Sequence, residues 1–230
     1  MSVFEIRLKV FLLNDIKLDK AQIKITSFID KALSKDKEFL ELHGRNVFKN
    51  YCFNNMYPLC ENSIYKKENV YTITIRTISK KLAEYFYEIL PNEYDEDIKG
   101  LVADIRILPK KHIDKIYSLT PVILKTDKGY WKGNLSIDEF EKRLKDNLIK
   151  KYNLINDNLM DEEVELYNSI EFINKKPIGS LYKDVELLGD KISLKIADDK
   201  LSQELAYMSL GTGILEMNSR GFGFMNFRWL

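Results

Sequence analysis

The chain has 230 residues, a formal net charge of +1, 45% hydrophobic residues and 31% charged residues. This is too apolar for a disordered chain, and no apolar run approaches the ~20 residues of a membrane helix. Bulk charge does not announce a nucleic-acid binder, so the distribution of charge carries more information than its sum.

The opening MSVFEIRLKV alternates apolar and charged residues, unlike a signal peptide, so a cytoplasmic location with no membrane partner is expected. Cys52 and Cys60 then read as free thiols. No Walker-type phosphate loop or His-x-x-x-His pair is present, and neither a metal nor a cofactor is expected. Basic residues crowd the stretch from Lys99 to Lys132, which reads either as an unevenly charged surface or as one phosphate-binding face.

In chain order, Phe4, Ile6, Leu8 and Val10 alternate with charged residues and predict a strand. Leu18, Ile25, Ile29, Ala32 and Leu33 fall at helical spacing. A second apolar patch, Phe39 to Leu42, runs up to His43-Gly44. The aromatic-rich stretch from Val47 to Pro58 predicts a strand, and Tyr71, Ile73 and Ile75 predict another. Ser79 caps a helix that Pro91 ends, and Leu101 to Leu108 is a fourth strand.

The second half begins with a strand over Ile116 to Lys125, bent at Pro121. Ser136 and Glu139 form a capping box for a helix over 137–152. Leu166 to Ile173 reads as a strand. Val185–Leu188 and Lys191–Ala197 flank Gly189-Asp190 as a hairpin. A short helix near 199–209 and a strand over Phe222–Phe227 complete the order. Each half therefore reads β-α-β-β-α-β, giving an α+β fold of two tandem ferredoxin-like domains, residues 1–111 and 112–230.

Between the last helix and the last strand lies Gly211-Thr-Gly-Ile-Leu-Glu-Met-Asn-Ser-Arg-Gly-Phe-Gly223, which holds four of the chain's ten glycines. Its amide groups read either as an anion-binding nest or as a tight connector packed on its own sheet. The only two histidines are His43 and His112. His112, in Lys110-Lys111-His112, reads as a basic linker residue. His43, before Gly44 in an expected turn, has Arg45 and Lys49 close behind it. An imidazole with a pKa of ~6.5 suits general acid–base work near neutrality. Tyr51, Phe53, Tyr57, Tyr130 and Trp131 are either core residues or platforms for stacked bases.

The Gly-x-Gly, Asn-Ser and Gly-Phe-Gly pattern resembles the C-terminal signature of the CRISPR-associated pre-crRNA endoribonucleases, within the repeat-associated superfamily of tandem ferredoxin-fold RNA-binding proteins. FEIRLKVFLL, the helix ending IDKAL, the His43 segment and Ser118-Leu-Thr-Pro-Val122 look like family counterparts in the same order. The resemblance implies metal-independent cleavage of CRISPR repeat RNA in a precursor transcript by 2′-hydroxyl attack. It implies His43 as general acid or base and Lys49 as stabiliser of the phosphorane charge. Gly211, Gly213, Asn218, Ser219, Arg220, Gly221, Gly223 and Arg45 would contact RNA. Some family members add a tyrosine on the first helix; Ser27-Phe28-Ile29-Asp30-Lys31 has none, and Tyr51 is nearby in sequence. The competing reading is a non-catalytic RNA-binding subunit of a CRISPR ribonucleoprotein. A homodimer and membership of an effector complex are both open.

Overall fold

The computed structural model describes residues 1–45, 47–156, 164–182 and 185–230, and for His43 the backbone only. The first half runs β1 (Phe4–Leu12), β2 (Ile16–Lys17), α1 (Leu18–Leu33), α2 (Lys37–Gly44), β3 (Tyr51–Phe53), β4 (Ile64–Tyr65), β5 (Val70–Thr77), α3 (Lys80–Ile89) and β6 (Ile98–Ile107). The second runs β7 (Ile113–Ser118), α4 (Ile137–Asn156), β8 (Tyr167–Phe172), β9 (Ile178–Tyr182), β10 (Val185–Gly189), β11 (Ile192–Ile196), α5 (Lys200–Thr212) and β12 (Met225–Trp229).

Two four-stranded antiparallel sheets result, ordered β3-β5-β1-β6 and β12-β7-β11-β8. With β2–β4 and β9–β10 set aside as separate two-stranded ribbons, each sheet has the strand order of a ferredoxin-like unit, as the alternation and helical spacing predict. Ile6, Leu8, Val10 and Leu12 are fully buried, while Arg7 and Lys9 between them are exposed. The predicted caps are present too. Leu82 donates its amide to Ser79 Oγ, and Ser136 and Glu139 exchange side-chain-to-amide hydrogen bonds at the start of α4.

Three expectations are corrected. The Val47–Pro58 strand shrinks to Tyr51–Phe53, because Asn50 takes a left-handed backbone (φ 58°) just before it. The Ile116–Lys125 strand stops at Ser118; beyond it Val122 and Ile123 make only isolated bridges to Asp190 and Glu216. Gly189-Asp190 is not a hairpin turn, since β10 pairs with β9 whereas β11 pairs with β7 and β8. Of the two readings of the basic stretch from Lys99 to Lys132, the pairing of three of its residues favours the unevenly charged surface. Arg106 pairs with Glu5, Lys110 with Glu204 and Lys132 with Asp190.

Asp190 is instead a buried anchor. Its carboxylate is 0% exposed and accepts hydrogen bonds from Tyr130 Oη, Trp131 Nε1, Lys132 Nζ and Asn174 Nδ2 at 2.7–2.9 Å. These bonds hold its pKa below the usual aspartate value against the opposing effect of burial. Buried groups left unpaired cost about 1–3 kcal/mol each. Asp190→Asn keeps one acceptor oxygen but loses the ion partner of Lys132. It should lower the unfolding free energy by about 1–3 kcal/mol in urea titrations.

The buried apolar side chains form one cluster from Ile6 to Ala103 and a second that combines Val3 with Leu108 to Met225. The halves are locked together around β5, α5 and the segment that follows α5. Arg76 donates to Glu5 in its own sheet and to the Met225 carbonyl in the other half, with its guanidinium 4.6 Å from the Phe224 ring. Tyr207 of α5 donates to the Leu108 carbonyl and accepts from the Val3 amide. No described helix is long and apolar enough to cross a membrane.

Candidate RNA-cleavage site

The end of α2 and the glycine-rich segment meet in one cleft. Arg45, Phe48, Lys49, Tyr51, Lys125, Asn147, Glu216 and Asn218–Arg220 line a half-open cavity of about 450 Å³. Four of these side chains are cations against one carboxylate, and just outside the lining Arg45 pairs with Glu41 and Arg220 with Asp30.

Asp36 starts α2 by accepting from the Glu38 and Phe39 amides, and the helix carries the chain to His43 and Gly44 in its last turn. An added Cβ at Gly44 would meet nothing within 4 Å, as expected for an exposed turn. Lys49 Nζ donates to the carbonyls of Leu42 and Arg45, which flank His43 along the chain. A cation is favoured there by the negative end of the helix dipole. Burial, reinforced by the Arg220 guanidinium, lowers the pKa of Lys49 below the ordinary lysine value, and Asp30 opposes this. The Arg220 guanidinium is itself held to Asp30 of α1 at 2.5 Å. The structure thus brings Lys49, Arg45, Asn218, Ser219 and Arg220 onto one cleft beside the backbone of His43. The His43 imidazole and Asn46 lie outside the described atoms.

The glycines behave otherwise than a phosphate nest would require. Gly211 lies within α5, where a Cβ would press on Ile78 and Val3, so it is a close-packing residue and not part of a loop. Gly213, Gly221 and Gly223 are buried, and their amides already donate to Ser209, Asn218 and Pro121 carbonyls. At Gly223 (φ +63°) a Cβ would stand 2.2 Å from the Ile214 carbonyl oxygen. These glycines let the segment fold tightly. Ser219 and Arg220 are the partly exposed residues of the turn that closes it.

Tyr51 lines the cleft, but it is 3% exposed, with its hydroxyl 3.5 Å from the Ser219 carbonyl oxygen. Burial, with Asp30 adding to it, raises its pKa well above the ordinary tyrosine value, so the hydroxyl stays protonated in the wall of the cleft. Phe53 and Trp131 are core residues, Tyr130 is partly buried and bonded to Asp190, and Tyr57 is 67% exposed. His112 pairs with Asp198 at the surface, away from the cleft lining. Cys52 and Cys60 are free thiols. Among the described residues no group of three or more His, Cys, Asp or Glu gathers as metal ligands would.

A family model for "CRISPR associated protein Cas6, C-terminal" matches residues 108–227, more than half of the chain. The chain belongs to the Cas6 family. It is similar to the CRISPR-associated endoribonuclease Cas6 2 of Methanocaldococcus jannaschii, with 27% identity over 92% of this chain and 94% of that protein. Among solved structures, its fold is similar to a RAMP protein described as binding different RNA substrates, at a TM-score of 0.73 and 18% identity. That match covers 98% of this chain and 99% of the other. It is also similar to the product of a Cas6-related gene from Pyrococcus furiosus, at a TM-score of 0.68 and 19% identity over 98% of each chain.

One residue of this Cas6-family chain escaped the sequence reading. Lys151 is 2% exposed, and its ammonium donates to the carbonyls of Gly213 and Leu215 and to Asn218 Oδ1 at 2.9–3.0 Å. Asn218 Nδ2 in turn donates to the Ile214 and Phe222 carbonyls, so Lys151 and Asn218 tie the glycine segment into a knot. The same ammonium lies 4.4 Å from the centre of the Phe48 ring, next to Lys49. The signal was available: Phe140, Leu144, Leu148 and Lys151 follow one another on a single stripe of α4, and all four are buried.

Proposed function

We propose that this chain is an endoribonuclease that binds CRISPR repeat RNA and cuts the precursor transcript once per repeat, with the scissile phosphodiester in the cleft between the end of α2 and the glycine segment. The observation that carries this reading is the convergence of Lys49, Arg45 and Arg220 beside the backbone of His43. Family membership through residues 108–227 and the relative named as an endoribonuclease support it.

The chemistry requires a base for the 2′-hydroxyl, an acid for the departing 5′-oxygen, and positive charge at the non-bridging oxygens. His43 serves one of the proton-transfer roles. Lys49 and Arg220 balance the charge that develops on phosphorus. The 2′-oxygen attacks the adjacent phosphorus in line, the P–O5′ bond breaks, and the proton taken from the 2′-hydroxyl is balanced by one delivered to the 5′-oxygen. The products are a 2′,3′-cyclic phosphate and a 5′-hydroxyl, and no metal ion takes part.

Incubation of the protein with end-labelled repeat RNA in excess chelator tests the whole reading. A single cut, with a 3′ fragment that a kinase labels without prior phosphatase, is expected. Binding with no product would instead assign the chain as an RNA-binding subunit. Arg220→Ala should weaken binding of a 2′-deoxy, uncleavable repeat and flatten the logarithmic salt dependence by about one phosphate contact, a slope change of ~0.7 for single strands. An unchanged salt slope would remove Arg220 from the phosphate contacts.

A further inference from the structure

The glycine segment enters the cleft on a strained stretch of backbone, and Glu216 sits at its centre. Leu215 and Met217, on either side, take left-handed conformations (φ 57° and 61°). Side chains of their kind rarely adopt these, and such backbone persists only where its surroundings fix it. Here they do. The Leu215 carbonyl accepts from Lys151, the Met217 carbonyl accepts from the Arg220 amide, and the Glu216 amide donates to the Ile123 carbonyl at 3.1 Å. The knot around Lys151 and Asn218 therefore uses the backbone on both sides of Glu216 and leaves its side chain out. Glu216 is the single carboxylate among the described residues that line the cleft.

The cleft has two ends. The charges that act on Lys49 are those of Arg220 and Asp30, whereas those that act on Glu216 are Lys125, Arg143 and Lys151. Arg143, Asn147 and Lys151 are spaced four residues apart on α4 and share one face. Arg143 also donates to the Lys125 carbonyl, and the Lys125 amide donates to the Glu216 carboxylate. Glu216 therefore lies against Asn147, between Arg143 and Lys151. Asn147 Oδ1 is buried without a hydrogen-bond partner, so the amide nitrogen is the polar atom that Asn147 offers to the cleft it lines. Phe48, half-buried, lines the same end, with the Lys151 ammonium 4.4 Å from the centre of its ring. Burial raises the Glu216 pKa above the ordinary glutamate value, and the Lys125 amide and the three cations oppose this.

We propose that Glu216 and Asn147 are specificity residues that read one guanine base of the bound RNA, seated against Phe48 beside the phosphate at Lys49 and Arg220. The subsite rests on the reading of this cleft as an RNA site and deepens it. A carboxylate repels phosphate and accepts hydrogen bonds, so the part of an RNA that suits this end is a donor on an unstacked base edge. Guanine alone presents two neighbouring donors, N1–H and the N2 amino group, beside an acceptor, O6. Uracil has one donor between two acceptors. Adenine and cytosine set their amino group next to a ring-nitrogen lone pair, which a carboxylate opposes. Each carboxylate oxygen has two lone pairs, so the bond from the Lys125 amide leaves both Glu216 oxygens able to accept. Two acceptors on Glu216 and a donor on Asn147 thus match the guanine edge.

Fluorescence anisotropy on the full chain tests this with labelled uridine nonamers that carry guanine, inosine, adenine, cytosine or uridine at the centre. The guanine nonamer should bind about ten- to a hundredfold more tightly than those with adenine, cytosine or uridine, the discrimination of one bidentate pair. Inosine, which lacks only the N2 amino group, should lose part of that advantage. Glu216→Gln, of nearly the same shape, should bring all five within about threefold of one another. It should also tighten binding of the all-uridine nonamer, because it removes a negative charge from the cleft. Asn147→Ala, at a half-exposed helix position, should reduce the guanine preference without that general gain. Equal binding of all nonamers by the wild type, a preference for adenine or cytosine, or a guanine preference that survives Glu216→Gln would overturn the proposal. Cleavage in chelator is scored separately: a failed base subsite leaves the nuclease reading standing, and guanine reading without cleavage would remove only the nuclease.

Discussion

His43→Ala should lower the single-turnover rate of repeat-RNA cleavage by about 10²–10⁴-fold, the usual contribution of a positioned general acid or base, while the affinity for uncleavable RNA changes less than about threefold. The separation follows from the layout of the cleft. The cations that line the cleft are Arg45, Lys49, Lys125 and Arg220, and each remains in the variant. Lys49 stays anchored as well, because its acceptors are the backbone carbonyls of Leu42 and Arg45, which the substitution does not alter. A parallel loss of binding would mean that His43 holds the RNA and does not move a proton. An unchanged rate would place the proton transfers on other groups.

Lys151→Met should be the second large effect, and it acts at a distance. All three N–H groups of the ammonium are used, two on loop carbonyls and one on Asn218. Methionine fits a similar volume but leaves the Leu215 carbonyl and Asn218 Oδ1 unpaired, at about 1–3 kcal/mol each, while the Gly213 carbonyl keeps the Thr212 hydroxyl. Relief from burying a charge offsets part of that cost, so the fold should survive while the Asn218–Arg220 turn loosens. Misplacement of a bound phosphodiester by ~1 Å is enough to cost about 10²-fold in rate. A loss of that size at saturating RNA, well below the melting temperature, is the expected result.

Stability gives an independent readout of Lys151. Burial pushes its pKa down to about 7 from 10.5, against the opposing charges of Cys52 and Glu216. Between those two values the unfolded chain keeps a proton that the folded chain has released. Stability therefore rises with pH across that window, by up to about 1.4 kcal/mol per pH unit from this group. Below pH 7 both states are protonated and the slope vanishes. Urea midpoints from pH 7 to 9 should climb more steeply for the wild type than for Lys151→Met. Parallel curves would show that the ammonium keeps its charge throughout.

The sequence carried the architecture well because the relevant signals are local and periodic. The alternation in Phe4–Leu12, the helical spacing in Leu18–Leu33 and the Ser136/Glu139 box each act within one element. Errors arose where tertiary contacts override local composition. Gly189-Asp190 looks like a turn, but a carboxylate with four buried donors is decided by residues far away in sequence. The glycine count left an anion-binding nest and a tight connector both open, and the packing around Gly213, Gly221 and Gly223 matches the connector. Flexible backbone near a phosphate and tight backbone around Asn218 leave the same trace in sequence, and only the occupied amides of Gly213, Gly221 and Gly223 separate them. Lys151 was hidden by its residue type, since a lysine on a helix is ordinarily a solvated charge. Its place on the Phe140–Leu148 stripe was the available clue.

The most direct test of the cleft is a structure of the protein bound to repeat RNA carrying a single 2′-deoxy substitution at the cut. The scissile phosphate should lie about 3 Å from a nitrogen of Lys49 or Arg220, with a ring nitrogen of His43 within hydrogen-bond reach of the 2′ position or the 5′-oxygen. A phosphate seated on another face of the molecule, with the α2–glycine-segment cleft left free of RNA, would contradict the account.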